Sequence, residues 1–398
     1  METRCFLKCI FIIILEEGNM KKFLVMLLAA VMVFSFAACG GGGGGEEASG
    51  DADAAMKVAM VTDYGDITDQ SFNQTTYEAC KAFCEENDIE FTYKKPASDA
   101  DADRVSSIEE AIEEGYNVIV MPGYAFANAI YEVAPLYEDV KFVALDVSEG
   151  DLTAYGEREF DGPNVYSAVY QEEIAGYMAG YAAVKLGYTK LGFLGGMAVP
   201  AVQRYGHGFV QGADAAASEL GLTDVEIKYV YGGQFFGDAD ITAAMDTWYG
   251  AGTECVFACG GGIYSSAAEA AAKTGGKVIG VDVDQAAIID GAYGEGMTVT
   301  SAMKGLGATV NTLLGAIKDG KWDDYAGQIQ NLGLVSETPS ENYVQLPEST
   351  QWADGFQQAD YETLVKELFD GTRKVSADID AIPATTAVKV DDQGAIKG

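Results

Sequence analysis

KVAMVTDYGDITDQSFNQTTYEACKAFCEE, residues 57–86, is the stretch that decides the fold. Val58 to Val61 are apolar on both alternating sets, as a strand covered on both faces requires. Thr62 and Asp63 close the run, and residues 72–86 read as a helix. Outward from this unit the same alternation repeats. Further strands are predicted at 117–123, 141–147, 190–196, 226–232, 255–260, 277–283 and 297–302. Helices are predicted at 104–114, 125–137, 166–185, 201–220, 239–249, 264–274 and 304–318. Strands alternating with helices over this length imply parallel sheets with helices on both faces. The units are too many for one compact sheet, and no eight equal repeats suggest a closed barrel. The predicted class is α/β, with two doubly wound parallel-sheet lobes, a hinge and a central cleft.

Composition narrows the function. The chain carries 25 Lys+Arg against 61 Asp+Glu, a formal net charge of -36, which repels phosphate backbones and excludes nucleic acid as a partner. With His207 the only histidine, no His-rich metal site or histidine relay can be built. The cysteines form no CxxC pair. Cys80 and Cys84 share a helix, and Cys255 and Cys259 are too far apart along a strand to pair. His207 lies between two glycines and is read as structural or solvated, so no catalytic residue, metal or cofactor is assigned.

The N-terminus reads as an address. From Met20, MKKFLVMLLAAVMVFSFAACGGGGGG has a basic start, an apolar core and small residues ending at Cys39. This resembles a bacterial lipobox, in which Cys39 is lipidated and becomes the first mature residue. Residues 1–38 are therefore read as a signal peptide, with Met20 rather than Met1 as the start. Residues 39–56, glycine-rich and then polar, form a tether reaching about 20–25 Å from a membrane.

Ligands of open α/β sheets bind outside the carboxyl ends of the strands. Those ends carry Asp63, Asp146 and Asp282-Val283-Asp284-Gln285, and between them Pro122-Gly123, Gly195-Gly196 and Gly260-Gly261-Gly262. Carboxylates and bare backbone suit a hydroxyl-rich or amine-bearing ligand. The strand period of two puts Asp282 and Asp284 on one face, so either is a candidate from spacing alone.

Val61-Thr62-Asp63-Tyr64-Gly65-Asp66-Ile67-Thr68-Asp69-Gln70-Ser71-Phe72-Asn73-Gln74 resembles the opening motif of the basic membrane protein family of purine nucleoside receptors. Pro122-Gly123-Tyr124-Ala125-Phe126, Gly195-Gly196-Met197, Gly280-Val281-Asp282-Val283-Asp284-Gln285 and Thr300-Ser301-Ala302-Met303-Lys304 follow in the family's order over about residues 57–320. The resemblance implies a type I periplasmic-binding-protein fold and a lipid-anchored receptor on the outer face of the cytoplasmic membrane. It also implies a monomer that delivers a purine nucleoside to ABC permease and ATPase subunits. By motif, Asp63 is the leading aspartate, Phe72 and Phe236 are the base-stacking aromatics, and Asp282 and Lys304 bind the ribose. Asn73, Asn128, Asp146 and Gly260 fall in matching segments, with Asn128 standing where the family often has an acid. Asp282 is preferred over Asp284, and Phe236 over Phe235, on the same ground. The alternatives are a nucleoside-processing enzyme, or a same-fold receptor for a sugar or autoinducer. Lobe 1 is expected at 57–162 and 296–327, and lobe 2 at 163–295 and 328–398, with crossings near Gly162, Glu295 and Gln328. Residues 335–398 carry no clear motif and are expected only to complete lobe 2.

Overall fold

The computed structural model describes residues 55–63, 65–154 and 160–397. The expected signal peptide, the lipidation site Cys39 and the tether up to residue 54 lie outside the described residues.

Residues 56–398 form one compact unit built on two sheets. The first sheet contains β1 (Lys57–Val61), β2 (Glu90–Lys94), β3 (Val118–Pro122), β4 (Lys141–Leu145), β5 (Val165–Tyr170) and β11 (Ile329–Leu332), in the order β2-β1-β3-β4-β5-β11. The second contains β6 (Lys190–Gly195), β7 (Val225–Tyr231), β8 (Cys255–Cys259), β9 (Lys277–Asp282), β10 (Thr298–Lys304), β12 (Val344–Gln345) and β13 (Val388–Ala395), in the order β13-β7-β6-β8-β9-β10-β12. Every pairing is parallel except the short β10–β12 edge. Each sheet thus repeats one doubly wound order, its second strand outside its first and its third, fourth and fifth on the other side. Such an order has a switch point between the first and third strands, where connections leave for opposite faces and open a crevice.

The helices are α1 (Phe72–Glu86), α2 (Asp101–Glu113), α3 (Ala127–Val133), α4 (Glu149–Ala154), α5 (Glu172–Lys185), α6 (Pro200–Leu220), α7 (Ala239–Gly250), α8 (Tyr264–Ala272), α9 (Ala286–Tyr293), α10 (Leu306–Lys318) and α11 (Gln358–Phe369). β1 shows why the strands read as continuous apolar runs. Val58 and Met60 join one buried cluster while Ala59 and Val61 join another on the opposite face. The first of these clusters continues through α10 and α5 into the second sheet, so the lobes share apolar packing on the hinge side.

The lobe boundaries differ from the expected ones. Residues 163–170 were expected in lobe 2, with 166–185 helical, yet Val165–Tyr170 is a strand of the first sheet and the helix begins only at Glu172. β10 was expected in lobe 1 but pairs with β9 in the second sheet, and β11 returns to the first sheet beside β5. The crossings therefore follow Tyr170, Lys304 and Leu332, eight, nine and four residues beyond Gly162, Glu295 and Gln328. The cause is local. Val165–Tyr170 alternates Val, Tyr, Ser and Ala beside helix-forming Glu172–Lys185, so strand and helix merge into one apolar stretch when read by pattern.

Glycine sets the distance between α5 and α6. A Cβ on Gly176 or Gly180 would collide with the carbonyl oxygens of Tyr205 and Phe209, and one on Gly208 or Gly212 with those of Glu173 and Tyr177. The two backbones touch, and α6 has no room to retreat from the cleft that its first turn enters. Gly180→Ala is expected to destabilise the protein by about 1–3 kcal/mol or more, read as a lower denaturant midpoint. An unchanged midpoint would show that α6 shifts freely.

Candidate functional site

A cavity of about 770 Å³ lies where the carboxyl ends of both sheets converge, within the range of small-molecule sites. Asp63 and Gly123 line it from the switch point of the first sheet, and Gly260 from that of the second, where Gly196 packs against it. Asp63 accepts a hydrogen bond from the Gly65 amide at 3.2 Å, and a Cβ on Gly123 would collide with the Asp63 carboxylate. Gly260 likewise keeps the chain bare, since a Cβ there would lie 3.0 Å from the Gly196 backbone.

α1 enters the site by its first turn. Asp69 accepts hydrogen bonds from the amides of Ser71, Asn73 and Gln74, so its carboxylate satisfies amides that no helical carbonyl can reach. That cap aims Phe72 and Asn73 into the cavity. Asn73 is buried, and its Nδ2 donates to Asp69 while its Oδ1 has no partner.

Lys304, the last residue of β10, is buried at the centre. Its Nζ lies 2.6 Å from Asp146 Oδ2, 3.4 Å from Glu172 Oε1 and 3.8 Å from Asp282 Oδ1. It also sits 4.7 Å from the Phe72 ring centroid, 5.4 Å from that of Tyr170 and 5.7 Å from that of Tyr205. Burial alone would favour the neutral amine, but the three carboxylates together outweigh it and raise the lysine pKa. Glu172 spans two cations, with its Oε2 accepting from Arg204 Nε at 2.6 Å. Burial pushes the Asp146 carboxyl up to about 6 against the pull of Lys304, with Glu172 and Asp282 adding to the rise. Burial also raises Asp282, opposed by Lys304 and by the 2.6 Å hydrogen bond donated by Ser71 Oγ.

Asp146 and Asp282 occupy equivalent places, each ending the fourth strand of its doubly wound set. Both adopt left-handed backbone, with φ of 63° and 65°. Non-glycine residues seldom do so, and such conformations cluster at functional sites. This turn also separates Asp282 from Asp284. The strand stops at Asp282, the alternation of faces stops with it, and exposed Asp284 accepts from Ser349 Oγ and the Ala286 amide outside the cavity.

The lobes meet directly across the site. Besides Lys304–Asp146 and Ser71–Asp282, Gln285 Nε2 donates to the Gln70 carbonyl at 3.1 Å. Phe236 comes from the second lobe on the loop after β7 and is 61% exposed, which leaves its ring open to a partner. Phe235 also lines the cavity but is half buried, under Gly196 and Gly260. Asp146 Oδ1 and Tyr205 Oη are buried in the cavity wall without a hydrogen-bond partner.

Of the residues singled out by sequence, Asp63, Phe72, Asn73, Asp146, Phe236, Gly260, Asp282 and Lys304 line this one cavity. Asn128 does not. It lies on α3, and its Nδ2 donates to Asp101 Oδ2 at 2.9 Å, tying α3 to α2. Glu172, Arg204 and Tyr205 were not anticipated. Glu172 follows the end of β5 and would have been found by the strand-end rule had 165–170 read as a strand. His207 is buried, with Nδ1 3.1 Å from the Asp378 carbonyl. Among the described residues, the four cysteines are buried and unpaired, and no three His, Cys, Asp or Glu side chains are grouped as metal ligands.

Two sheets of this order around an interlobe cavity define the fold of the periplasmic-binding-protein type. Solved structures share the fold: an ABC transporter solute-binding protein from Aeropyrum pernix has a TM-score of 0.64 at 20% identity, covering 82% of this chain and 94% of that one. A second, from Conexibacter woesei, has a TM-score of 0.60 at 21% identity, covering 81% and 99%. Residues 56–349 match the Bmp family, described as ABC transporter substrate-binding protein, PnrA-like, and the chain belongs to that family. It is 29% identical over 293 residues to the ABC transporter nucleoside-binding protein BmpA of Lactococcus lactis, covering 69% of this chain and 78% of the relative. It is 28% identical to basic membrane protein A of Borreliella burgdorferi, covering 64% and 70%.

The raised Asp146 pKa has a definite sign for stability. The folded state holds this proton more tightly than an ordinary carboxylate does. The group's stabilising contribution is therefore present below pH 3.8 and lost as the pH rises through about 6. Asp146→Asn is expected to be more stable than the parent at pH 8, by on the order of 1–3 kcal/mol, with no gain at pH 3.5. Thermal unfolding at the two pH values checks this, and a variant less stable at pH 8 would contradict it.

Proposed function

We propose that this chain is a lipid-anchored, extracytoplasmic receptor, attached through Cys39, that closes on a purine nucleoside and delivers it to an ABC permease and its ATPase subunits. It acts as a monomer and catalyses no reaction. The observation that carries the reading is the make-up of the cavity. Aromatic rings enter from both lobes, Phe72 from one and Phe236 from the other, beside buried acceptors without partners, Asp146 Oδ1 and Asn73 Oδ1. A flat base suits the rings, and stacking of this kind contributes about 1–3 kcal/mol per base in nucleic-acid proteins. Base N–H groups and sugar hydroxyls suit the acceptors, and charge-assisted bonds to carboxylates are the stronger ones.

The same cavity disfavours phosphate. Asp63, Asp66, Asp69, Asp99, Asp146, Asp151 and Asp282 line it, against the cations Arg204 and Lys304, which already face Glu172 and Asp146. A nucleoside is accordingly the ligand and a nucleotide is not. Membership of the PnrA-like family and the nucleoside-binding relative from Lactococcus lactis support the assignment.

Calorimetric titration of the refolded 57–398 body with guanosine, inosine, adenosine, ribose and GMP tests it. One-to-one binding of a nucleoside is expected, with ribose and GMP at least about 100-fold weaker, a difference of roughly 2.7 kcal/mol. Absence of binding to all three nucleosides would overturn the reading.

A further inference from the structure

The family match ends at residue 349, and the chain beyond it is built into lobe 2 in a way that bears on the cavity. After α11, residues 370–387 run along one face of α6. His207, Gln211 and Asp214, spaced by a helical turn each, hold them. His207 meets the Asp378 carbonyl, Gln211 exchanges two hydrogen bonds with Ser376, and the Asp214 carboxylate accepts from the amides of Thr386, Ala387 and Val388. β13 then pairs in parallel with β7 and covers that edge of the sheet. The Ile396 amide donates to the Tyr231 carbonyl at the end of β7, which places Lys397 under the loop that follows.

That loop, residues 232–238, carries Phe236. Gln234 organises it by donating through Nε2 to the Phe236 carbonyl and to Asp238, each at 2.9 Å. Lys397 Nζ donates to Gln234 Oε1 at 3.3 Å and forms an ion pair with Asp238. Asp238 in turn caps α7 by accepting from the amides of Asp240 and Ile241. Gly233 is left-handed, and a Cβ there would press on the Lys397 backbone at 2.8 Å. The exposed aromatic of the cavity therefore rests on a loop whose organising amide and helix cap are both tied to the strap.

We propose that the strap of residues 370–397 sets the position of the Phe236 loop, and so the affinity for the flat end of the ligand, with Lys397 as the positioning residue. This rests on the nucleoside reading for the identity of the ligand, but not for the bracing itself.

The experiment compares Lys397→Ala and Lys397→Arg, each alone and with Phe236→Ala, in the full chain. Inosine affinity is read by calorimetry, and hydrogen exchange over residues 233–241 is read without ligand. A half-buried ion pair at the surface contributes modestly, so Lys397→Ala is expected to weaken inosine binding about two- to fivefold and to speed exchange at Asp238–Ile241 by a similar factor. Lys397→Arg restores both. In the Phe236→Ala background, Lys397→Ala changes the affinity no further, the coupling expected of residues that act through one another. Equal losses in both backgrounds would overturn the proposal, as would unaltered affinity, whether or not exchange quickens. Failure of the parent protein to bind inosine would tell against the nucleoside reading instead, and the exchange measurement would then decide the bracing alone.

Discussion

A buried ammonium cannot stand without partners, and Lys304 finds its partners in both lobes. Asp146 belongs to the first sheet, while Asp282 and the Arg204-bound Glu172 belong to the second lobe. Three carboxylates face two cations here, so the fully ionised cluster carries one negative charge in excess, and burial raises the proton affinity of Asp146 and Asp282. Buried ion pairs of this kind are a poor route to stability, because desolvation offsets most of the attraction. Their use lies in specificity of arrangement. The cluster fixes how the lobes meet and leaves Asp146 Oδ1 ready to accept from a donor that brings no charge. A neutral, donor-rich ligand meets that need, and an anion does not.

The geometry around Lys304 follows from the repeated doubly wound order. Each sheet delivers a carboxylate at the end of its fourth strand, in left-handed backbone, and a charged residue at or just after the end of its fifth, Glu172 in one case and Lys304 in the other. Both fifth strands lie next to the crossings between lobes, so these charges are also those nearest the hinge. A change in their pairing on ligand binding is a direct means of biasing open against closed arrangements, since only differential contacts can shift such an equilibrium.

Much of this was legible in sequence because strands buried on both faces leave continuous apolar runs and their ends carry the chemistry. The residue range of α1 and the carboxylates Asp63, Asp146 and Asp282 are visible in that way. Phe72, Phe236 and Lys304 needed the family resemblance, because a single aromatic or lysine has no distinctive spacing. Val165–Tyr170 was misread because its pattern runs into a helix of small and apolar residues, and with it the hinge and Glu172 were misplaced. Asn128 resembled a site residue by position, yet its short helix turns it toward Asp101. β13 and the strap were hidden for a different reason. VKVDDQGA is polar, and only an edge position beside β7 makes a strand of it.

The measurement that bears most directly on the central claim is inosine affinity in Lys304→Met, a substitution that keeps the length of the side chain and removes its charge. The variant is first shown to be folded by its circular dichroism and compactness. If Lys304 joins the lobes and the ligand, affinity falls by about 30-fold or more, the scale on which losing one partner of a buried charge pair weakens association. Affinity within about threefold of the parent, roughly the size of a surface ion pair, would show that the cluster is not the organising interaction of the cleft.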